Sequence, residues 1–251
     1  MSAVTTATAG RRRPLLFWIM IGLILLLGLG AAGGGAAGVV ATVTRHPSQA
    51  QISAAGQREF AVQWQRLSAG RIFPSSVSYL DSFGGRTTAT LVGIAPQAPC
   101  GSTVDAAAAP VLAASGCVTV LRATYTDASQ TAVATIGIAV LRSPGDALRA
   151  QSTFVAGGRG GLLALSFPGT VASLFTGSAL ETYAAKTIAG RYLFLYAAGY
   201  TDGRRTTLQV NSDGGYTGET VTTDLGNGVV SQLSAELQAP LRPCADKNVR
   251  C

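Results

Sequence analysis

An uninterrupted apolar run near the N-terminus constrains this chain most. No charged residue occurs from Pro14 to Thr44, and the most hydrophobic part, Leu15–Leu29, is followed by an alanine- and glycine-rich part that ends at Val43. A helix needs about 20 mainly apolar residues to cross the core of a bilayer. The run therefore predicts a transmembrane helix at residues 15–43.

The residues before this run predict its orientation. Arg11, Arg12 and Arg13 precede it directly, and arginines favour the cytoplasmic side of a membrane span. We therefore expect residues 1–14 in the cytoplasm, a single pass through the plasma membrane, and an extracytoplasmic C-terminal domain. The alternative is a cleaved signal peptide, for which the small residues around Ala31–Ala37 offer a cleavage site. Both interpretations place the rest of the chain outside the cytoplasm.

Small residues recur at helical spacing within the predicted span. Gly30, Gly34 and Gly38 are four residues apart, and such a face lets two transmembrane helices approach closely. Self-association through this face is one hypothesis. The other is that a chain rich in alanine and glycine contains such spacings by chance.

All four cysteines follow the apolar run. Cys100, Cys117, Cys244 and Cys251 are even in number and extracytoplasmic in the predicted topology, which favours disulfide bonds. We expect the pairs Cys100–Cys117 and Cys244–Cys251, because the members of each pair are close in sequence. Neither pair has the tight spacing of a structural zinc site.

The remainder of the chain predicts an α+β domain of antiparallel β-hairpins packed against a few helices. Residues 44–74 form a juxtamembrane helix or linker, in which Phe60, Trp64 and Leu67 share one helical face. Residues 75–251 form the extracytoplasmic domain. Its predicted strands are 87–95, 117–126, 131–141, 162–167, 180–188, 191–200 and 206–210, and its predicted helices are 103–115, 143–153 and 219–237.

Two similar segments suggest an internal repeat. Residues 123–127 (ATYTD) resemble residues 198–202 (AGYTD), and both are expected at a strand end that enters a turn. Two related halves of the domain would explain the similarity. The alternative is that Tyr and Thr suit strands and Asp suits turns wherever they occur.

The chemistry of known catalytic motifs is missing from the sequence. His46 is the only histidine and lies beside the predicted membrane boundary, so an imidazole-based triad has no histidine within the domain. Neither G-x-S-x-G nor S-x-x-K occurs. The segment Asn211–Glu219 lacks the third acid and the position-12 glutamate of a calcium-binding EF-hand loop. We therefore assign no catalytic residue, no cofactor and no metal ligand.

Charge argues against a nucleic-acid partner. The chain carries a formal charge of +7, but three of these charges are the N-terminal arginines, which leaves about +4 for the remainder. The remaining basic residues are dispersed, whereas nucleic-acid binding proteins cluster them on one face. The predicted partners are the lipid bilayer and a further protein of the envelope.

The domain resembles a group of uncharacterised actinobacterial single-pass membrane proteins. The resemblance rests on residues 92–97 (VGIAPQ), on Cys100, on the stretch from Ala113 to Cys117 that leads into residues 120–127 (VLRATYTD), and on residues 199–204 (GYTDGR) with the C-terminal cysteines. It implies a location in the cell envelope, and it implies no known activity.

Three functional hypotheses follow. The first is a membrane-anchored, non-catalytic domain that binds a partner protein or an envelope component. The second is an envelope enzyme with a carboxylate-based site. The third is an accessory subunit of a secretion or cell-wall assembly.

Overall fold

A computed structural model describes residues 19–20, 47–157, 161–176, 181–187, 190–204, 209–210, 216–217, 220–239 and 241–245. The described residues from Ala50 onward belong to one compact unit. Within the described ranges, no helix has the length and apolarity that a membrane span requires. The predicted span is described only at Ile19 and Met20.

The compact unit is built on a six-stranded antiparallel sheet. Its strands are β1 (Ser76–Leu80), β2 (Arg86–Ile94), β3 (Cys117–Thr126), β4 (Ala132–Leu141), β5 (Glu181–Thr187) and β6 (Tyr192–Tyr200). Their order across the sheet is β1-β2-β3-β4-β6-β5, and every neighbouring pair is antiparallel. The predicted α+β class with antiparallel hairpins is thereby confirmed. A separate two-stranded ribbon pairs β7 (Gln209–Val210) with β8 (Tyr216–Thr217).

Within the described part of residues 47–245, six helices accompany the sheet. They are α1 (Gln49–Ala61), α2 (Gln63–Arg66), α3 (Ala69–Ile72), α4 (Ala109–Ala114), α5 (Pro144–Gly157) and α6 (Thr220–Gln238), together with short 3₁₀ turns at Cys100–Ser102 and Pro243–Ala245. The juxtamembrane helix is therefore broken into three pieces. The predicted helix 103–115 is helical only from Ala109, since Pro110 is tolerated within a first turn but not in a helix interior.

Strands β4 and β6 are buried on both faces of the sheet. All residues of β4 and β6 are buried, because helices cover the sheet on each side. We call these sides the α6 face, where α1 and α6 pack, and the α5 face, where α4 and α5 pack. Residues alternate between the faces along β4, so that Ile136 and Ile138 join the α6 core while Val133 and Ala139 join the α5 core.

Two glycines bring α6 close to the sheet. A Cβ atom on Gly226 would lie 2.4 Å from the ring of Tyr196, and one on Gly228 would lie 2.3 Å from the ring of Tyr79. Neither position can carry a side chain without moving a buried tyrosine. Glycine has a low helix propensity and therefore weakens α6, but the packing of α6 on the sheet requires glycine at both positions.

The predicted strand 162–167 is wrong. Only Leu162 forms an isolated bridge, with Val104, and the segment crosses the α5 face without joining the sheet. Its backbone is held by two buried threonines: Leu165 N donates to Thr135 Oγ1 (2.9 Å), and Thr124 Oγ1 donates to Leu165 O (2.8 Å). These side chains supply the hydrogen bonds that a strand would have taken from a neighbour.

The two similar segments lie at the same end of the sheet. β3 and β6 both run antiparallel to β4 and flank it, and each ends in a turn that starts at an aspartate. Asp127 Oδ1 accepts from the backbone N–H groups of Thr131 and Ala132, both at 2.8 Å, and Asp202 accepts from Arg204 N at 3.1 Å. The origin of both turns in two related halves stays a prediction.

The disulfide between Cys100 and Cys117 gives a test of how the domain is stabilised. The bond closes a loop with a sequence separation of 17. We expect the double substitution C100S/C117S to lower the free energy of unfolding by about 3 kcal/mol, because the unfolded chain regains the entropy of the open loop. Urea unfolding of both proteins under non-reducing conditions measures this difference, and an unchanged midpoint and slope would contradict it.

Candidate functional site

A concave feature lies at one end of the sheet, where β4 finishes and β6 begins. It is a cleft of about 370 Å³ between α1, the start of α5, the turn before β6 and the end of α6. We call it the end cleft. It is lined by Ser53, Gly56, Gln57, Phe60, Pro144, Leu148, Gly190, Gln238 and Leu241.

The floor of the end cleft is Phe60, the only lining residue that is buried within the described part of the chain. Its ring packs edge-to-face on Tyr192, with centroids 4.8 Å apart. The hydroxyl of Tyr192 donates a hydrogen bond of 2.6 Å to the backbone oxygen of Phe60 and accepts one of 3.4 Å from Trp64 N. Burial raises the pKa of Tyr192 to about 12, so this hydroxyl remains a donor at neutral pH.

The structure also shows which surface is contacted by the apolar stripe of the predicted juxtamembrane segment. The sequence left open whether Phe60, Trp64 and Leu67 pack on the domain or on the membrane surface. Phe60 belongs to the core of the α6 face, and Trp64 and Leu67 pack against that core. This stripe therefore packs on the domain.

One lip of the end cleft is held by the N-terminal cap of α5. Ser143 Oγ accepts from Asp146 N (3.1 Å) and donates to Asp146 Oδ2 (2.7 Å), so the serine hydroxyl caps the first turn of α5. Pro144 occupies the first helical position, where its missing N–H costs nothing. This cap positions Pro144 and Leu148 along the lip, and the Leu148 side chain is 61% exposed.

The opposite lip is formed by the chain after α6. Leu241 N donates to Gln238 O (3.1 Å), and Gln238 Nε2 donates to Ser234 O (3.1 Å). Arg242 N donates to a carboxylate oxygen of Glu59 at 2.8 Å, which connects this segment to α1. A Cβ atom on Gly56 would lie 3.7 Å from Pro243 Cβ, an ordinary van der Waals contact.

Among the residues that the structure describes, no charged side chain lines the end cleft. The lining consists of four apolar side chains, two glycines and three uncharged polar side chains. It offers no carboxylate, thiol or imidazole, and no group of three or more metal-ligating side chains occurs among the described residues. The cleft can therefore hold an apolar molecule and can hydrogen-bond to it.

Five of the described aspartates accept hydrogen bonds from backbone N–H groups. Asp81, Asp105, Asp127 and Asp202 each accept hydrogen bonds from N–H groups of their own turns. Asp224 accepts from Ser82 N at 2.9 Å and so joins the β1–β2 turn to α6. Near these turns, burial first and then the charges of Asp127 and Asp224 raise the pKa of Tyr79 to about 12. Each of these five aspartates therefore has a hydrogen-bonding partner within the fold.

Of the predicted site residues, the structure describes three cysteines. Cys100 and Cys117 form the predicted disulfide, with Cα atoms 6.2 Å apart. Cys244 is also disulfide-bonded, whereas Cys251 lies outside the described residues, so the pair Cys244–Cys251 stays a prediction. The other predicted residues also lie outside them: Arg11, Arg12, Arg13, Gly30, Gly34, Gly38 and His46, with most of the segment 211–219.

Sequence reasoning did not find the end cleft. Phe60 was recognised as part of an apolar stripe, but Leu148 and Leu241 come from distant segments with no shared motif. No protein-family model matches the chain, and no curated protein and no solved structure matches it either. The function is therefore argued from the geometry of the domain.

The cap that positions the cleft lip gives a pH-dependent prediction. The hydrogen bond from Ser143 and, to a smaller extent, the charges of Arg149 and Arg142 lower the pKa of Asp146. A carboxyl with a lowered pKa in the folded state stabilises the fold above its unfolded pKa of about 3.9 and loses that contribution as the pH falls through the folded value. We expect D146N to be less stable than the wild type at pH 7 and the difference to shrink below about pH 4.

Urea unfolding of the wild type and D146N at several pH values measures this prediction. S143A is the companion variant, with an expected loss of about 1 kcal/mol for a removed N-cap. A stability difference between wild type and D146N that stays constant from pH 7 to pH 3 would argue against the capping role.

Proposed function

We propose that this protein is a membrane-anchored extracytoplasmic binding protein with no catalytic activity of its own. The observation that carries the proposal is the end cleft, which is apolar, uncharged and built on a rigid aromatic floor. Its volume falls within the range of small-molecule binding sites, about 300–1,000 Å³. A site of this composition gains affinity by removing apolar surface from water.

The disulfide supports the compartment. Bonds such as Cys100–Cys117 persist in oxidising surroundings outside the cytoplasm, and this one lies downstream of an arginine-rich start and an apolar run. The proposed arrangement is a cytoplasmic N-terminus at residues 1–14, a transmembrane helix at 15–43 and the domain on the outer side of the plasma membrane. The kinship with actinobacterial single-pass envelope proteins belongs to the same proposal.

Two further hypotheses concern the partners. An envelope protein, or a secretion or cell-wall assembly, would bind the intact chain, and the glycine face of Gly30, Gly34 and Gly38 would be the contact surface within the membrane. The carboxylate-based enzyme receives no support from the end cleft, because no acid lines it.

The anchored topology has a direct test. We expect the full-length protein to remain in the membrane pellet after alkaline carbonate extraction, and externally added protease to degrade the domain in cells whose outer layers have been opened. Thiol labelling without reductant should leave Cys100 and Cys117 unmodified. Release by carbonate would contradict the anchor, and free thiols at both cysteines would contradict the compartment.

Crosslinked pull-down separates the partner hypotheses. Intact protein is compared with a chain that starts near Arg45 and is directed to the same compartment. Partners that both proteins recover bind the domain, and the span then serves only as an anchor. Partners recovered by the intact chain alone, and lost when Gly30 and Gly34 are replaced by isoleucine, bind the membrane helix.

A further inference from the structure

The composition of the end cleft restricts the chemistry of the molecule that can occupy it. The inference below rests on the proposed binding function. We infer that the end cleft binds one uncharged amphiphile, with a single hydrocarbon chain inside the cleft and a hydrogen-bonding head group at its mouth. A monoacylglycerol or a long-chain alcohol has this chemistry. The molecule comes either from the bilayer or from the aqueous phase.

The first argument is charge. None of the lining side chains is ionisable, so neither an anionic nor a cationic head group would find a counter-charge in the lining. Placing a charge against apolar walls without a partner is costly. The lining therefore selects against fatty-acid anions and alkylammonium ions of the same length.

The second argument is size and shape. A volume of about 370 Å³ holds about a dozen water-sized groups, each of about 30 Å³, and a methylene group is of similar size. This suits one hydrocarbon chain of moderate length better than a two-chain lipid. The buried ring of Phe60 closes the floor, and the exposed side chain of Leu148 stands at the lip, where an occupant would cover it.

The third argument is the position of the polar groups. Ser53 and Gln57 lie one turn apart on α1, both are exposed, and no side-chain hydrogen bond joins either of them to another described residue. Gln238 uses its Nε2 atom on Ser234 O, which leaves its amide oxygen as an acceptor. A hydroxyl-bearing head group would find both donors and acceptors at these three side chains.

The fourth argument is continuity with the predicted span. The lining residues of α1 follow the apolar run at 15–43 closely in sequence, with no other predicted element between them. Under the proposed topology, bilayer amphiphiles are the apolar molecules available in greatest quantity to this segment.

Photo-crosslinking of the full-length protein in nanodiscs tests the inference. The probe is a monoacylglycerol with a diazirine in its chain, and the matched charged probes are the fatty acid and the alkylammonium ion with the same diazirine chain. Each probe is supplied either within the nanodisc lipid or from the aqueous phase. Peptide mass spectrometry locates the adducts. We expect the uncharged probe to label the peptides containing Phe60 and Leu148, and both charged probes to label them much less.

Matched variants give the control. L148Q removes an apolar contact at the lip, and a loss of about 1 kcal/mol of burial corresponds to about fivefold weaker labelling. L174Q changes a leucine of similar exposure, 60%, that does not line the cleft, and should leave labelling unchanged. G56L, which places a side chain in the cleft and improves helix propensity, should abolish labelling without loss of the fold.

The outcomes are distinct. Labelling from the lipid arm alone identifies a bilayer amphiphile, and labelling from the aqueous arm identifies a soluble one; both support the inference. Equal labelling of wild type, L148Q and G56L, or equal labelling by charged and uncharged probes, overturns it. Failure of the chain to enter nanodiscs overturns the proposed membrane-anchored function instead. Co-elution of the protein with the nanodiscs is measured before any probe is added.

Discussion

The whole domain depends on burying its central strands on both faces. β4 has no exposed residue, so each face of the sheet must be covered if the apolar surface is to leave water. α6 can cover one face only because Gly226 and Gly228 let it approach the rings of Tyr196 and Tyr79. The other face receives α4, α5 and the segment 161–176, which is fastened by the buried pair Thr124 and Thr135. The end cleft forms where the coverings of the two faces approach each other beyond the end of β4.

How far the sequence predicts this architecture depends on whether a pattern is local. β4 was predictable because residues 132–141 are an apolar, β-branched run bounded by turn residues, and α6 was predictable from its length and periodicity despite two glycines. The segment 162–167 has the same local character as a strand, yet its backbone bonds go to two threonine side chains that are distant in sequence. The sequence of the segment therefore does not indicate that Thr124 and Thr135 are its hydrogen-bond partners.

The residues of the end cleft were even harder to predict from local sequence patterns. Phe60, Leu148 and Leu241 become neighbours only through the crossover that brings α5 and the end of α6 to the same end of the sheet. The Cys100–Cys117 bond, in contrast, was predictable, because a short loop and a predicted oxidising compartment are enough to favour this pair. Local chemistry therefore predicted the covalent link, and only the tertiary structure revealed the candidate site.

The way α1 is attached makes the cleft relevant to stability as well as to binding. Two polar contacts that join its C-terminal half to the rest of the domain are the hydrogen bond from the Tyr192 hydroxyl to the Phe60 carbonyl and the one from Arg242 N to the Glu59 carboxylate. An occupant of the cleft would contact α1, α5 and the segment after α6 at once. Because such a ligand binds only the folded arrangement, it would stabilise the domain in proportion to RT ln(1 + [L]/Kd). A bound ligand would then hold α1, the helix nearest the predicted membrane anchor, against the sheet. Ligand binding would in this way be coupled to the position of α1.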